Sequence, residues 1–253
     1  MPTAVPAPRY GLARILSKFG VCSRTQAQAL IRAGRVRVDG RIARDPEAPT
    51  DARLMRITLD GAALEAAKKI YLMLNKPRGY VTTARDERGR DTVYTLIQDG
   101  DLPWLAPVGR LDKASEGLLL LSNDSAWAAR LTDPESHLDK TYHVQIDTRP
   151  DSELLQQLRA GIDDAGEHLA AKAVRELRRG AKNAWLEVVL DEGRNRQIRR
   201  LLAAFDIGVL RLVRVAIGSL PLGDLAGGKW RALTIPEVDA LGSAMPTPAQ
   251  GPA

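Results

Sequence analysis

Apolar residues at Leu12, Ile15, Leu16 and Phe19 follow the spacing i, i+3, i+4, i+7 and predict one face of a helix, ended by Gly20. Ser23 is a suitable cap for a second helix, with Ala27, Leu30 and Ile31 inward and Gly34 ending it. Arg35-Val36-Arg37-Val38 then alternates charged and apolar side chains, the period of a strand, and Asp39-Gly40 is a hairpin turn. Residues 53–59 predict a further strand. The alanine-rich stretch 61–69 has no strand signal and reads as a linker. A buried strand over 70–74 stops at Asn75-Lys76-Pro77-Arg78-Gly79, and 80–83 continues as a strand. Residues 85–91 make a charged loop and 92–98 a short helix.

A turn at Val108-Gly109-Arg110-Leu111-Asp112 leads into the apolar run Leu118-Leu119-Leu120-Leu121. Asp124 caps a helix to about Leu131. A strand over 140–146, a helix over 151–160 and strands over 168–177 and 185–190 follow. The spacing of Ile198, Leu201, Leu202 and Phe205 predicts a helix over 195–205. Strands over 209–217 and 230–235 close the pattern. Many strands, interspersed helices and no regular βα alternation predict an α+β fold with a mixed, mainly antiparallel sheet. Residues 1–8 and 241–253, rich in Pro, Ala and Thr, are expected to be disordered tails.

Composition sharpens this picture at two places. No apolar run approaches the ~18 residues of a membrane helix, and the first residues lack a signal peptide's charged start and apolar core. A cytoplasmic protein that does not meet a membrane is expected. The single cysteine, Cys22, excludes an internal disulfide. The net charge is +6, yet residues 9–44 alone carry nine basic side chains against one acid, so the rest sums to −2. An arginine-dense front module on a near-neutral body points to a polyanion, with Arg24, Arg32, Arg35 and Arg37 as the candidate contacts.

Candidate chemistry gathers at three places. Asp112 follows a tight turn. Gly193-Arg194-Asn195-Arg196-Gln197-Ile198-Arg199-Arg200 puts four arginines at a helix start, where Arg196 and Arg200 fall one turn apart and suit phosphate. Lys140 and Tyr142 share one strand face. The histidines lack ligand spacing, and there is no phosphate-binding glycine loop, dinucleotide fingerprint or nucleophile elbow. An enzyme built from this chain would work with carboxylate, arginine and tyrosine, without cofactor or metal.

The run Leu16-Ser17-Lys18-Phe19-Gly20-Val21-Cys22-Ser23-Arg24, with residues 30–40, resembles the S4-type RNA-binding domain. Asn75-Lys76-Pro77-Arg78-Gly79, Gly109-Arg110-Leu111-Asp112, Lys140-Thr141-Tyr142, the 192–200 run, Leu210-Arg211-Leu212-Val213-Arg214 and Gly228-Lys229-Trp230-Arg231 resemble the ribosomal RNA pseudouridine synthases of the RsuA type. Ser115 and Ser122 stand where that family often has threonine, and Ser125 where it often has glycine.

The resemblance implies an S4-type domain over 9–60, a linker over 61–69 and a catalytic domain over 70–240. It implies a nucleophilic role for Asp112, with Arg199 as the guanidinium beside it, Tyr142 stacking on the target base and Leu212 packing against the ring. Arg110 would fill the space of a flipped uridine. Lys76, Arg196 and Arg200 are expected to meet RNA phosphate. The expected partner is ribosomal RNA or a pre-ribosomal particle bound by a monomer, with a weak preference for large-subunit rRNA. Two other readings stay open: a non-catalytic assembly factor in which Asp112 and Arg199 form a structural ion pair, and a nuclease, disfavoured by the lack of a metal-binding carboxylate cluster.

Overall fold

The computed structural model describes residues 10–51, 55–65, 67–83, 86, 88–98 and 102–243. The expected tail over 1–8, most of the one after 240 and part of the charged loop at 85–91 lie outside the described residues. The chain divides into two compact units. The first reaches Ile70 and takes in short segments around 102–106 and 122–125, and the second holds the rest.

The first unit comprises β1 (Tyr10–Gly11), α1 (Leu12–Lys18), α2 (Arg24–Arg32), β2 (Val36–Val38), β3 (Arg41–Ile42), β4 (Pro49–Thr50), β5 (Ile57–Leu59) and β6 (Ala62–Ala63). Ser23 Oγ accepts from the Gln26 N–H while Gln26 Oε1 accepts from the Ser23 N–H, so a capping box starts α2 where expected. Leu12, Ile15, Leu16, Ala27, Ile31, Val36 and Ile57 share one buried cluster. Asp39 and Gly40 both take positive φ, 48° and 79°, the geometry that turns β2 antiparallel into β3. The start of the expected linker is instead strand. Asp60-Gly61 makes a second positive-φ turn, and β6 folds back on β5.

The second unit comprises β7 (Tyr71–Lys76), β8 (Ala106–Val108), β9 (Glu116–Ser122), α3 (Ser125–Thr132), β10 (Lys140–Ile146), α4 (Ser152–Ala160), β11 (Ile162–Asp164), β12 (Glu167–Leu169), β13 (Ala173–Arg179), β14 (Ala184–Leu190), α5 (Gln197–Ala203), β15 (Val209–Ile217), β16 (Leu220–Pro221), β17 (Trp230–Ala232) and α6 (Ile235–Ser243). The main sheet runs β13-β14-β10-β15-β9-β7-β17, with β8 on β9 and β16 on β15. β15 and β9 pair in parallel, whereas β13–β14, β14–β10, β10–β15 and β17–β7 are antiparallel. The expected α+β class with a mixed, mainly antiparallel sheet holds. Leu118 to Leu121 on β9 are fully buried, which anchors the turn before them in the core.

Other expectations shift. The strand expected over 168–177 is two strands, because Ala165-Gly166 closes a tight β11–β12 hairpin before β13 begins. Residues 80–83 make only an isolated bridge between Val81 and Thr92, and the helix expected over 92–98 is a short 3₁₀ turn at Val93–Leu96. The tail expected from 241 begins inside α6, whose Leu241 is buried against Trp127 and Leu138.

Candidate active site

The Gly109-Arg110-Leu111-Asp112 turn hangs between β8 and β9. Gly109 has φ +76°, a conformation open to glycine at no steric cost. Leu111 is buried, its carbonyl accepts from Thr82 Oγ1 at 2.7 Å, and the Asp112 carbonyl accepts from the Ser115 N–H at 3.0 Å. Below the turn lies Lys76, fully buried at the end of β7. Its Nζ donates to the carbonyls of Pro77 (3.1 Å), Asp112 (3.1 Å) and Ser115 (2.7 Å). Burial pushes its pKa down to about 8, opposed by Glu116 and Asp112. Three acceptors match the three donors of an ammonium. The expectation that Lys76 meets phosphate is therefore corrected: this side chain never reaches solvent and instead ties the Asp112 turn to β7.

Gly117 makes the turn possible from the other side. A Cβ there would lie 2.2 Å from the Arg214 carbonyl, because β15 passes directly over it, and its φ is +101°.

The Asp112 carboxylate stays partly exposed and lies 3.4 Å from Arg196 Nη1. Arg196 has left-handed backbone (φ 49°, ψ 32°) and precedes α5 rather than belonging to it. The helix expected from 195 thus starts at Gln197, and Arg196 and Arg200 do not share a face. Arg200 turns away to Asp164 and Glu167, each at 2.6 Å, and braces the β11–β12 hairpin. Its expected phosphate contact is corrected accordingly, since both carboxylates already occupy it.

Arg199 makes no direct ion pair with Asp112. It donates to the Ala114 carbonyl at 3.2 Å, from the segment just after Asp112. Burial draws its pKa below the usual arginine range, as does Arg196, while Asp112 opposes them. The guanidinium in contact with the carboxylate is that of Arg196, with Arg199 supporting the turn behind it.

Asp112, Arg110, Arg196, Arg199, Tyr142 and Leu212 line one cavity of about 550 Å³. Tyr142 and Leu212 are buried on neighbouring strands, where Tyr142 faces Arg214 and Val144 faces Leu212 across the β10–β15 ladder. Lys140 and Arg214 line the cavity too. The sequence placed Lys140 beside Tyr142, but Arg214 entered only as part of a motif. Its signal was register: Leu212 and Arg214 must point to the same face of one strand. Gln197, also missed, is buried and donates to Glu192 Oε1 at 2.6 Å and the Ala170 carbonyl at 3.1 Å, holding the start of α5.

In the first unit Arg24, Arg32, Arg35 and Arg37 are all exposed. Arg24 pairs with Glu47 at 3.1 Å, Arg35 pairs with Asp60, and Arg37 donates to the Gly40 carbonyl.

A carboxylate at the mouth of a cavity with an aromatic and an aliphatic wall, ringed by arginines, suits a planar base attached to a phosphate chain. Comparison with known proteins gives the family. Residues 70–204 match the family model described as RNA pseudouridylate synthase, and residues 11–49 match the S4 domain. A protein of Aquifex aeolicus named an uncharacterized RNA pseudouridine synthase is 37% identical over 90% of this chain and 92% of its own. The ribosomal large subunit pseudouridine synthase B of Bacillus subtilis is 34% identical over 91% of this chain and 94% of its own. A crystal structure of a pseudouridylate synthase superposes with a TM-score of 0.65 at 29% identity, covering 92% of this chain and 99% of that one. The chain belongs to the RNA pseudouridine synthase family, of the RsuA type with an S4 domain in front. It is an enzyme that isomerises uridine to pseudouridine in RNA.

Proposed function

We propose that the substrate is a uridine of ribosomal RNA, in the large subunit in preference to the small, and that Asp112 is the nucleophile. The observation that carries this reading is the meeting of Asp112 and Arg196 at the mouth of the cavity lined by Tyr142 and Leu212. The Bacillus subtilis relative, which matches almost end to end, supports the choice of rRNA subunit.

The target uridine leaves its stack, at a cost of a few kcal/mol, and enters the cavity. Arg110, exposed on the turn, fills the gap left in the RNA. Tyr142 stacks on the base and Leu212 packs against its other side. The Asp112 carboxylate forms a covalent adduct and releases it. Within that cycle the N1–C1′ bond breaks, the base turns, and the C5–C1′ bond forms. The proton lost from C5 is matched by one gained at N1, so no atom is gained or lost and no cofactor is required. The exposed arginines of the first unit hold phosphates further along the RNA. The protein acts as a cytoplasmic monomer on rRNA or on a pre-ribosomal particle.

Pseudouridine mapping across both rRNAs of a deletion strain tests the substrate. One large-subunit uridine should lose its modification, returning with the wild-type chain and not with Asp112→Asn. An unchanged rRNA map, with a site lost in tRNA, would overturn the rRNA reading.

A further inference from the structure

Arg214 lies in the inner wall of the cavity with 5% of its surface exposed. Its Nε donates to the Leu118 carbonyl at 2.7 Å, which fixes the plane of the guanidinium. Its Nη2 is buried and has no hydrogen-bond partner among the described residues. A buried N–H without an acceptor is costly, and such groups in native proteins demand an explanation. Lys140 lines the same cavity, and burial and Arg214 both disfavour its charge. One wall therefore offers an N–H that no group among the described residues accepts.

Depth decides what that donor awaits. A phosphate carries full charge and belongs at the mouth, where Arg110 and Arg196 are exposed. A neutral carbonyl oxygen can enter a dry wall at far lower desolvation cost. Arg214 also stands opposite Tyr142 on the neighbouring strand, and both side chains line the cavity, so a base stacked on the phenol would lie beside the guanidinium.

We propose that Arg214 Nη2 donates to a carbonyl oxygen of the flipped uracil and selects uridine over cytidine. This rests on the reading that the target uridine enters this cavity. Cytosine replaces the 4-oxygen with an amino group, which would set donor against donor. Uracil has a further property that suits a fixed donor. Exchanging N1 for C5 at C1′ turns the ring by half a revolution about the line through N3 and C6, and that turn swaps O2 with O4. One immobile N–H thus meets a carbonyl oxygen both before and after the base turns.

The test uses the rRNA stem-loop containing the mapped uridine, made with uridine, 2-thiouridine or 4-thiouridine at the target. Sulfur is a weak acceptor. Single-turnover isomerisation by the wild type should slow roughly tenfold or more for at least one thio substrate. In Arg214→Gln and Arg214→Lys the rate on uridine should fall, and the penalty for that sulfur should largely vanish. Equal rates of the wild type on all three RNAs would overturn the proposal without relying on the folding of any variant. So would a thio penalty of the same size in wild type and in either folded variant. Loss of activity in Asp112→Asn with thio-insensitive wild-type rates would sink this proposal alone, whereas full activity in Asp112→Asn would sink the reading beneath it.

Discussion

Replacing Lys76 with methionine separates a positioning role from a structural one. The methylenes keep their volume, but three carbonyls lose a donor. The bond to Ser115 is fully buried, and its loss costs about 1–3 kcal/mol; those to Pro77 and Asp112 are part-buried, where water can replace the donor at less cost. Against this, an ammonium whose pKa has fallen from the usual 10.5 to about 8 costs the folded state about 3 kcal/mol below pH 8. Relief of that cost offsets most of the loss. The net change should stay within about 2 kcal/mol, a Tm shift under about 8 °C for a unit of this size. The rate should behave differently. The Asp112 carbonyl is one of the three acceptors, and a carboxylate displaced by ~1 Å can cost about 100-fold in turnover. Differential scanning fluorimetry, single-turnover tritium release from uracil C5 and RNA affinity measured together decide the matter. A hundredfold fall in rate with near-normal Tm and unchanged affinity supports the tether. A rate within threefold of wild type, or a weakened RNA affinity with a reduced salt slope, would refute it, the latter in favour of phosphate contact.

The same residue gives the reaction an alkaline limb. Lys76 holds its proton below about pH 8 and loses it above, together with one of its three N–H donors. The wild-type rate should fall as pH rises through about 8, and Lys76→Met should show no such limb in a pH–rate profile. Gly117→Ala would force a Cβ to 2.2 Å from the Arg214 carbonyl at φ +101°, so it should destabilise the chain by at least ~3 kcal/mol, read as the urea midpoint. In the first unit, Arg32→Ala should lower the slope of log affinity against log salt by about 1, whereas Arg35→Ala, whose guanidinium already pairs with Asp60, should lower it less. Equal slopes for the two variants would contradict that ordering.

Elements governed by local rules were legible in the chain. β10 and β15 fall on the spans expected for them, 140–146 and 209–217, and α4 starts just after Asp151, whose carboxylate accepts from the Leu154 N–H. Short elements made by tertiary pairing were not. β6 and β12 are two or three residues long and exist because a positive-φ turn folds each onto a neighbour. α6 carries a local signal of its own: Thr234-Ile235-Pro236-Glu237 is a capping box, with Glu237 Oε2 accepting from the Thr234 N–H and Thr234 Oγ1 accepting from the Glu237 N–H.

The site divides the same way. The motifs brought Asp112, Tyr142, Arg199 and Leu212 to one cavity, since each sits on an element the pattern predicted. Which arginine touches the carboxylate was hidden, because it depends on one left-handed residue. Helical periodicity runs on through Arg196, but its φ of 49° takes it out of α5 and aims it at Asp112, leaving Arg200 to two carboxylates on a hairpin no pattern announced. Lys76 misled for a simpler reason: a lysine beside proline in a turn reads as exposed, and only the three-dimensional path of the Asp112 turn buries it.

The most direct measurement compares wild type with Asp112→Asn on rRNA labelled with tritium at uracil C5, scoring tritium release and RNA binding in the same samples. A nucleophilic Asp112 predicts binding within a few-fold of wild type and a loss of release of at least about 10³-fold. Release by Asp112→Asn at the wild-type rate would show that this carboxylate does not carry the chemistry.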